Sequence, residues 1–258
     1  WEIDYFGGGM YMSRSNLILI RNVTIRNNSA TMGGGGYFGS SNCNLANITL
    51  ENNMAWKAGG LFLLYSPNAM LTNVTISGNM AEYKTGGIYL VGSNSVLTNV
   101  TISGNTANYS CGGMRITGSD PILTNVTISG NTAGEFAGGM HLGGSNPILI
   151  NSILWDNSPE SIFFREDSYS STISIQYSDI EGGEEGIVTN DNGEVYWLEG
   201  NIDTDPLFSD PDNGDYTLQE GSPCIDSGDP NLWFEDMDGT TGDMGVTGGM
   251  FVVPNFIS

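Results

Sequence analysis

Basic residues are scarce: seven Lys and Arg stand against 29 Asp and Glu in 258 residues, a formal net charge of −22. A surface of that sign repels phosphate backbones and anionic headgroups, which argues against nucleic acid or a charged membrane surface as a partner. Long hydrophobic runs are missing too, and no stretch of about 18 apolar residues can span a bilayer. Cysteine is limited to Cys43, Cys111 and Cys224, far apart and odd in number, so no disulfide framework is expected. Helical periodicity is lacking throughout. The sequence opens at Trp1 with neither a basic n-region nor an apolar h-region, so a signal peptide, if there was one, is expected to be already gone.

Glycine is abundant, 37 residues without a collagen-like triplet, so it must serve turns and close backbone approaches. The 39% of hydrophobic residues can fill a continuous core. Both are organised by a repeat. The phrase LTNVTISGN begins at Leu71, Leu97 and Leu123, and its first Asn recurs at Asn22, Asn47, Asn73, Asn99, Asn125 and Asn151, at intervals of 25 or 26 residues. Gly-Gly pairs keep the same frame, starting at Gly8, Gly34, Gly59, Gly86, Gly112 and Gly138. Each repeat reads as three short strands separated by turns. Three strands in a unit of constant length predict an all-β, right-handed parallel β-helix whose coils stack at about 4.8 Å.

Alternation places Leu97, Val100 and Ile102 inside and Thr101 and Ser103 outside. The repeated Asn predicts a ladder of turn amides bonded from coil to coil. Its Asn-Val-Thr spelling is also a glycosylation sequon, which burial in such a ladder would hide. Outward Thr24, Thr49, Thr75, Thr101 and Thr127 form a second column, the pattern of an ice-binding face, although Arg26 and Glu51 interrupt the column beside it.

Charge divides the chain. Residues 1–157 hold seven of the 29 acids and six of the seven bases; residues 158–258 hold 22 acids and Arg165. The expected organisation is therefore a regular, nearly neutral shaft over 1–157 and acidic terminal coils with a cap or tail over 158–258, in the same solenoid. Within the acidic part, Asp210, Asp212 and Asp215 surround Gly214, and Asp236, Asp238 and Asp243 surround Gly239. Oxygen ligands at alternate positions around a glycine suit Ca²⁺, though neither set matches an EF-hand.

The outward position two residues after each Gly pair forms a stripe: Tyr11, Tyr37, Phe62, Tyr89, Arg115 and His141. Exposed aromatic faces would pack against sugar rings, Arg would hold a carboxylate, and His would exchange a proton near neutral pH. Trp56, Lys57, Glu82, Tyr83, Lys84, Tyr109, Glu135 and Phe136 would form a wall beside it. Arg115, His141 and Tyr89 are the candidate catalytic set for a uronate lyase. Glu82 and Glu135, expected about 9.6 Å apart in corresponding loops, are the carboxylate pair for a glycoside hydrolase. Tyr11, Tyr37, Phe62, Tyr89 and Trp56 are the candidate substrate-binding residues.

Gly-Gly-Ile-Tyr-Leu and Asn-Val-Thr-Ile-Ser-Gly-Asn-Thr-Ala, with ISIQYSDIEGG, GNIDTDPLF, NGDYTLQEGSPCIDSGDP and DMDGTTGDMGVTGG toward the end, resemble the bacterial right-handed parallel β-helix repeat proteins. That pectate-lyase-like superfamily includes adhesin-like surface proteins. The resemblance implies export to the cell surface or beyond and a carbohydrate-related or surface role. It carries over no catalytic triad, because these phrases are scaffold and cap. The expected function is binding, with or without processing, of a polysaccharide or cell-surface glycan. The alternative is a structural or adhesive surface protein or fibre subunit, self-associating end to end through the strand edge after Trp1 and the apolar MFVVPNFIS segment.

Overall fold

The computed structural model describes residues 5–166, 169–236 and 239–248. The expected solenoid is there. A seven-stranded parallel sheet runs from Met10–Ser13 through Gly36–Gly39, Leu61–Leu64, Ile88–Val91, Met114–Thr117 and Met140–Gly143 to Ile162–Phe164. A longer sheet starts at Ile18–Arg26 and reaches Gly193–Trp197, and a five-stranded sheet extends from Ser29–Met32 to Thr132–Ala133. Equivalent residues face each other from coil to coil, as in Val74, Val100 and Val126. Among the described parallel pairings of the coils, one register shift, where Ala55 faces Ala81 but Lys57 faces Lys84, absorbs one extra residue.

The core is one stack of mainly aliphatic columns, with Leu97, Val100, Ile102 and their equivalents in the neighbouring coils fully buried and Ile20 and Val23 of the first coil partly so. Leu97 and Val100 are three residues apart and still share the interior, because Asn99 between them is left-handed (φ 53°) and turns the strand. Asn22, Asn47, Asn73, Asn125 and Asn151 have the same conformation, with φ of 50–55°. Their amides bond along the stack, Asn47 Nδ2 to Asn22 Oδ1 at 2.9 Å and Asn73 Nδ2 to Asn47 Oδ1 at 3.2 Å.

A second, buried Asn ladder comprises Asn28, Asn53, Asn79, Asn105, Asn131 and Asn157. Asn105 Oδ1 accepts from both the backbone N–H and the Nδ2 of Asn79, at 2.9 and 3.0 Å. The close approach of neighbouring coils accounts for the Gly pairs, with backbone against the first glycine and both backbone and this ladder against the second. A Cβ on Gly60 would stand 2.7 Å from the carbonyl oxygen of Gly87 in the next coil and 3.2 Å from Asn79 Nδ2.

The acidic section departs from a plain succession of coils. Pairing of Ser171–Gln176 with Gly193–Trp197, and the bridge of Asp179 to Ile202, continue the solenoid. Beyond it the chain folds back along the outer side of the long sheet. Phe208, Tyr216, Cys224 and Met244 close over outward-facing Ile153. Val246 N donates to Thr127 Oγ1 at 3.0 Å and Gly245 N to the Asn151 carbonyl at 2.7 Å. The Thr column is in register as expected, but Thr101 and Thr127 are buried beneath this section. The covered part of the column therefore offers no open face to ice. All three cysteines are buried and free, as expected from their spacing.

Candidate functional site

The stripe forms with the expected pairing, Tyr11–Tyr37–Phe62–Tyr89–Arg115–His141, and continues to Phe163. Strand alternation sets it outward because its neighbours, such as Met114 and Ile116, fill the core. Its exposure differs from expectation. Tyr11 remains open, whereas Tyr37, Phe62, Arg115 and His141 are buried, Arg115 at 3% and His141 at 1% exposure. Tyr11, Tyr37 and Phe62 stack face to face, with centroids 5.5 and 5.4 Å apart and ring planes within 10°. Coil spacing is close to the thickness at which rings stack, so their faces are used on one another and only edges and hydroxyl groups point outward.

The wall is a second ladder. Trp56 stacks on Tyr83 at 5.1 Å, Tyr83 on Tyr109 at 5.2 Å, and Phe136 meets Tyr109 edge-on at 5.6 Å. Trp56 and Tyr109 keep substantial exposure. Lys84 Nζ lies 4.6 Å from the Tyr83 ring centroid and 5.6 Å from that of Tyr109. The two ladders converge where Phe136 lies 5.6 Å from His141 and 4.8 Å from Phe163.

At that point the Arg115 guanidinium sits 5.5 Å from the Tyr89 ring centroid and donates to Ser110 Oγ at 3.4 Å. Arg115 Nε and His141 Nδ1 are buried without a hydrogen-bond partner among the described residues. Burial, reinforced by the charges of Arg115, Arg165 and Lys84, holds His141 down at about 2. It is neutral throughout the physiological range, so the expected proton exchange near neutral pH is not a property of this imidazole. Burial pushes Cys111, also near Arg115, up to about 12.

Glu82 and Glu135 are both exposed but do not occupy corresponding positions. The backbone bonds Asn108 N to the Ala81 carbonyl and Gly134 N to the Ala107 carbonyl carry the Glu82 position to Asn108 and Gly134. Glu135 N bonds the Tyr109 carbonyl, which puts Glu135 in the Tyr83–Tyr109 column. The expected carboxylate pair is therefore not set up by the register.

Among the expected Ca²⁺ ligands, Asp236 and Asp243 come together with Asp226, with one carboxylate oxygen of each within 4.8 Å of the others. Asp238 lies outside the described residues. Asp210, Asp212 and Asp215 join no such group among the described residues. Instead Asp210 accepts from Asn213 Nδ2 at 2.8 Å, Asp215 accepts from Thr217 Oγ1 at 2.6 Å, and Pro211–Asn213 forms a short 3₁₀ turn. Sequence spacing missed Asp226 because 17 residues separate it from Asp243, although Asp226 N donates to Asp243 Oδ1 at 3.0 Å.

No helix in the described residues is long and apolar enough to cross a membrane. No curated protein and no solved structure shows significant similarity to the chain. The right handed beta helix region family matches residues 2–113 and again 59–204, a span that contains every stacked coil described above. The coil register and this match together place the chain in the right-handed β-helix family.

Proposed function

We propose that the protein binds a polysaccharide lying along the solenoid axis, on the face where the two aromatic ladders run side by side. The observation that carries this reading is their convergence at Arg115 and His141, through Phe136. The stripe from Tyr11 to Phe163 takes six coil steps, about 29 Å at 4.8 Å each. That is the shape of a track for an extended polymer rather than a pocket for a small molecule. Because the rings stack on one another, the polymer would meet ring edges, tyrosine hydroxyls and the more exposed Tyr11, Trp56 and Tyr109. This assigns Arg115, His141 and Tyr89 to binding. A location at the cell surface or outside the cell belongs to the same reading.

Screening the whole chain against immobilised neutral and acidic polysaccharides tests it. Binding that falls several-fold in Trp56→Ala and Tyr109→Ala supports the track, and silence across the panel refutes it.

Ca²⁺ is part of this proposal, held by Asp226, Asp236 and Asp243. Three hard carboxylates suit it, and burial followed by the charges of Asp236 and Asp226 already raises the Asp243 carboxyl, a repulsion a cation would relieve. Millimolar Ca²⁺ should raise the thermal midpoint of the wild-type chain but not that of Asp243→Asn. Equal response of the two would remove the ion from the account.

A further inference from the structure

We propose that the cavity at the free end of the second aromatic ladder is a subsite for an uncharged sugar, which makes the ligand a neutral polysaccharide. The inference rests on the polymer-binding reading above and narrows its ligand class. Stacked rings use up one another's faces, and a ladder has a face to spare only at its end. Trp56 is such an end. One face lies on Tyr83, while the preceding coil presents Thr31 at the same register position, between the pairs Ala30–Ala55 and Met32–Lys57. Threonine is too small to cover an indole, and Trp56 keeps 46% exposure. It lines a cavity of about 290 Å³ together with Tyr5, Ser29, Thr31, Met54 and Glu82.

Glu82 reaches this cavity because of the register shift. Ala55 faces Ala81 and Lys57 faces Lys84, so Trp56 stands opposite both Glu82 and Tyr83. An extra residue in one strand re-aims the side chains around it. Tyr83 takes the ring position in the ladder, and the exposed Glu82 lines the cavity. Tyr5 is pinned as another wall, its carbonyl accepting from Thr31 N at 2.7 Å and its N–H donating to Thr31 Oγ1 at 3.0 Å. A pyranose suits this set: its C–H face packs on the indole, and its hydroxyls donate charge-assisted bonds to the carboxylate. The volume is just under the roughly 300 Å³ at which small-molecule sites begin, room for a short sugar segment. No basic side chain lines the cavity among the described residues, and Glu82 would repel a carboxylate or sulfate, which selects an uncharged ring. Three steps of the ladder, about 14 Å, lead from Trp56 to Phe136, so a polymer anchored here runs toward the point where the two ladders converge.

The test is calorimetric titration of the whole chain with short neutral oligosaccharides of gluco, manno, xylo and galacto configuration and with oligogalacturonate, alongside thermal unfolding. The expected result is binding of at least one neutral ligand, tighter than that of oligogalacturonate. Glu82→Ala should weaken it several-fold, and Thr31→Tyr, which lays a ring over the open face and leaves Trp56 in place, by on the order of tenfold. Glu82 is exposed, so its variant keeps the fold and carries the test even where Thr31→Tyr melts early. Unchanged neutral-ligand affinity in Glu82→Ala, or in a folded Thr31→Tyr, would overturn the subsite while leaving the polymer track standing. Tighter binding of oligogalacturonate than of every neutral ligand would overturn the uncharged class. Failure of all of them to bind would overturn both the subsite and the track.

Discussion

Asn105→Ala should be one of the most damaging single substitutions in the shaft, and the hydrogen bonds give its size. Asn105 Nδ2 donates to the Ile76 carbonyl at 2.8 Å and to Asn131 Oδ1 at 2.9 Å. Its Oδ1 accepts from Asn79 N at 2.9 Å and from Asn79 Nδ2 at 3.0 Å. The substitution strands the buried Asn79 N–H, at about 1–3 kcal/mol, and removes three further bonds at about 0.5–1 kcal/mol each. The expected loss is about 2.5–6 kcal/mol. Asn47→Gly is the matched control. It deletes an amide of the outer ladder, where water can replace the bonds, while glycine keeps the left-handed φ of 55°. Its cost should be about 1 kcal/mol or less. Urea denaturation gives the stability difference, and hydrogen exchange at the Asn79 amide locates it, because stacked repeats can open locally. An Asn105→Ala loss no greater than that of Asn47→Gly would refute the buried ladder as a main support of the fold.

Other consequences follow from the same geometry. Gly87→Ala places a Cβ 2.5 Å from the Gly113 carbonyl oxygen and 3.0 Å from Ile102 Cγ2, so it should lower stability by at least about 1–3 kcal/mol. Gly118→Ala meets nothing within 4 Å and carries only the strain of φ 55°, about 1–2 kcal/mol by denaturant unfolding. Asp179 lies under the folded-back section, where Cys224 Sγ donates to its Oδ2 at 3.2 Å. Burial, with repulsion from Asp203 and Asp205, raises it from 3.8 to about 6. The folded state therefore binds this proton more tightly than the unfolded chain does. The stabilisation is complete below the unfolded value and lost as pH rises through about 6. Limited proteolysis of residues 205–248 should accelerate from pH 5 to pH 8, with the step abolished in Asp179→Asn; an unchanged step in that variant would assign it to other groups.

The fold was largely legible because its signal is a period, and insertions barely disturb it. Columns such as Val74–Val100–Val126 and the outer Asn ladder follow from alternation and a constant repeat. The buried Asn ladder was equally readable, since Asn28, Asn53, Asn79, Asn105, Asn131 and Asn157 recur at the same 25- or 26-residue interval. What concealed it was its second role, since Asn after Gly, Asn or Asp in a turn reads as turn chemistry alone. The stripe's register was legible but not its burial, which arises because stacked rings shield one another and because Phe136 and Phe163 reach across to His141. The return of the acidic section was beyond local pattern. Its contacts join residues more than a hundred positions apart, such as Val246 with Thr127 and Asp243 with Asn125, and no repeated residue marks them.

His141, the only histidine of the chain, allows the central claim to be read at the converging ladders themselves. Its imidazole resonances should stay at their neutral positions from pH 8 to pH 5, since burial and three cations hold it at about 2. Adding a polysaccharide that binds the chain should then shift them saturably at constant pH. Imidazole resonances that ignore every polymer, under conditions where calorimetry shows one binding, would place the ligand elsewhere on the solenoid and contradict the account.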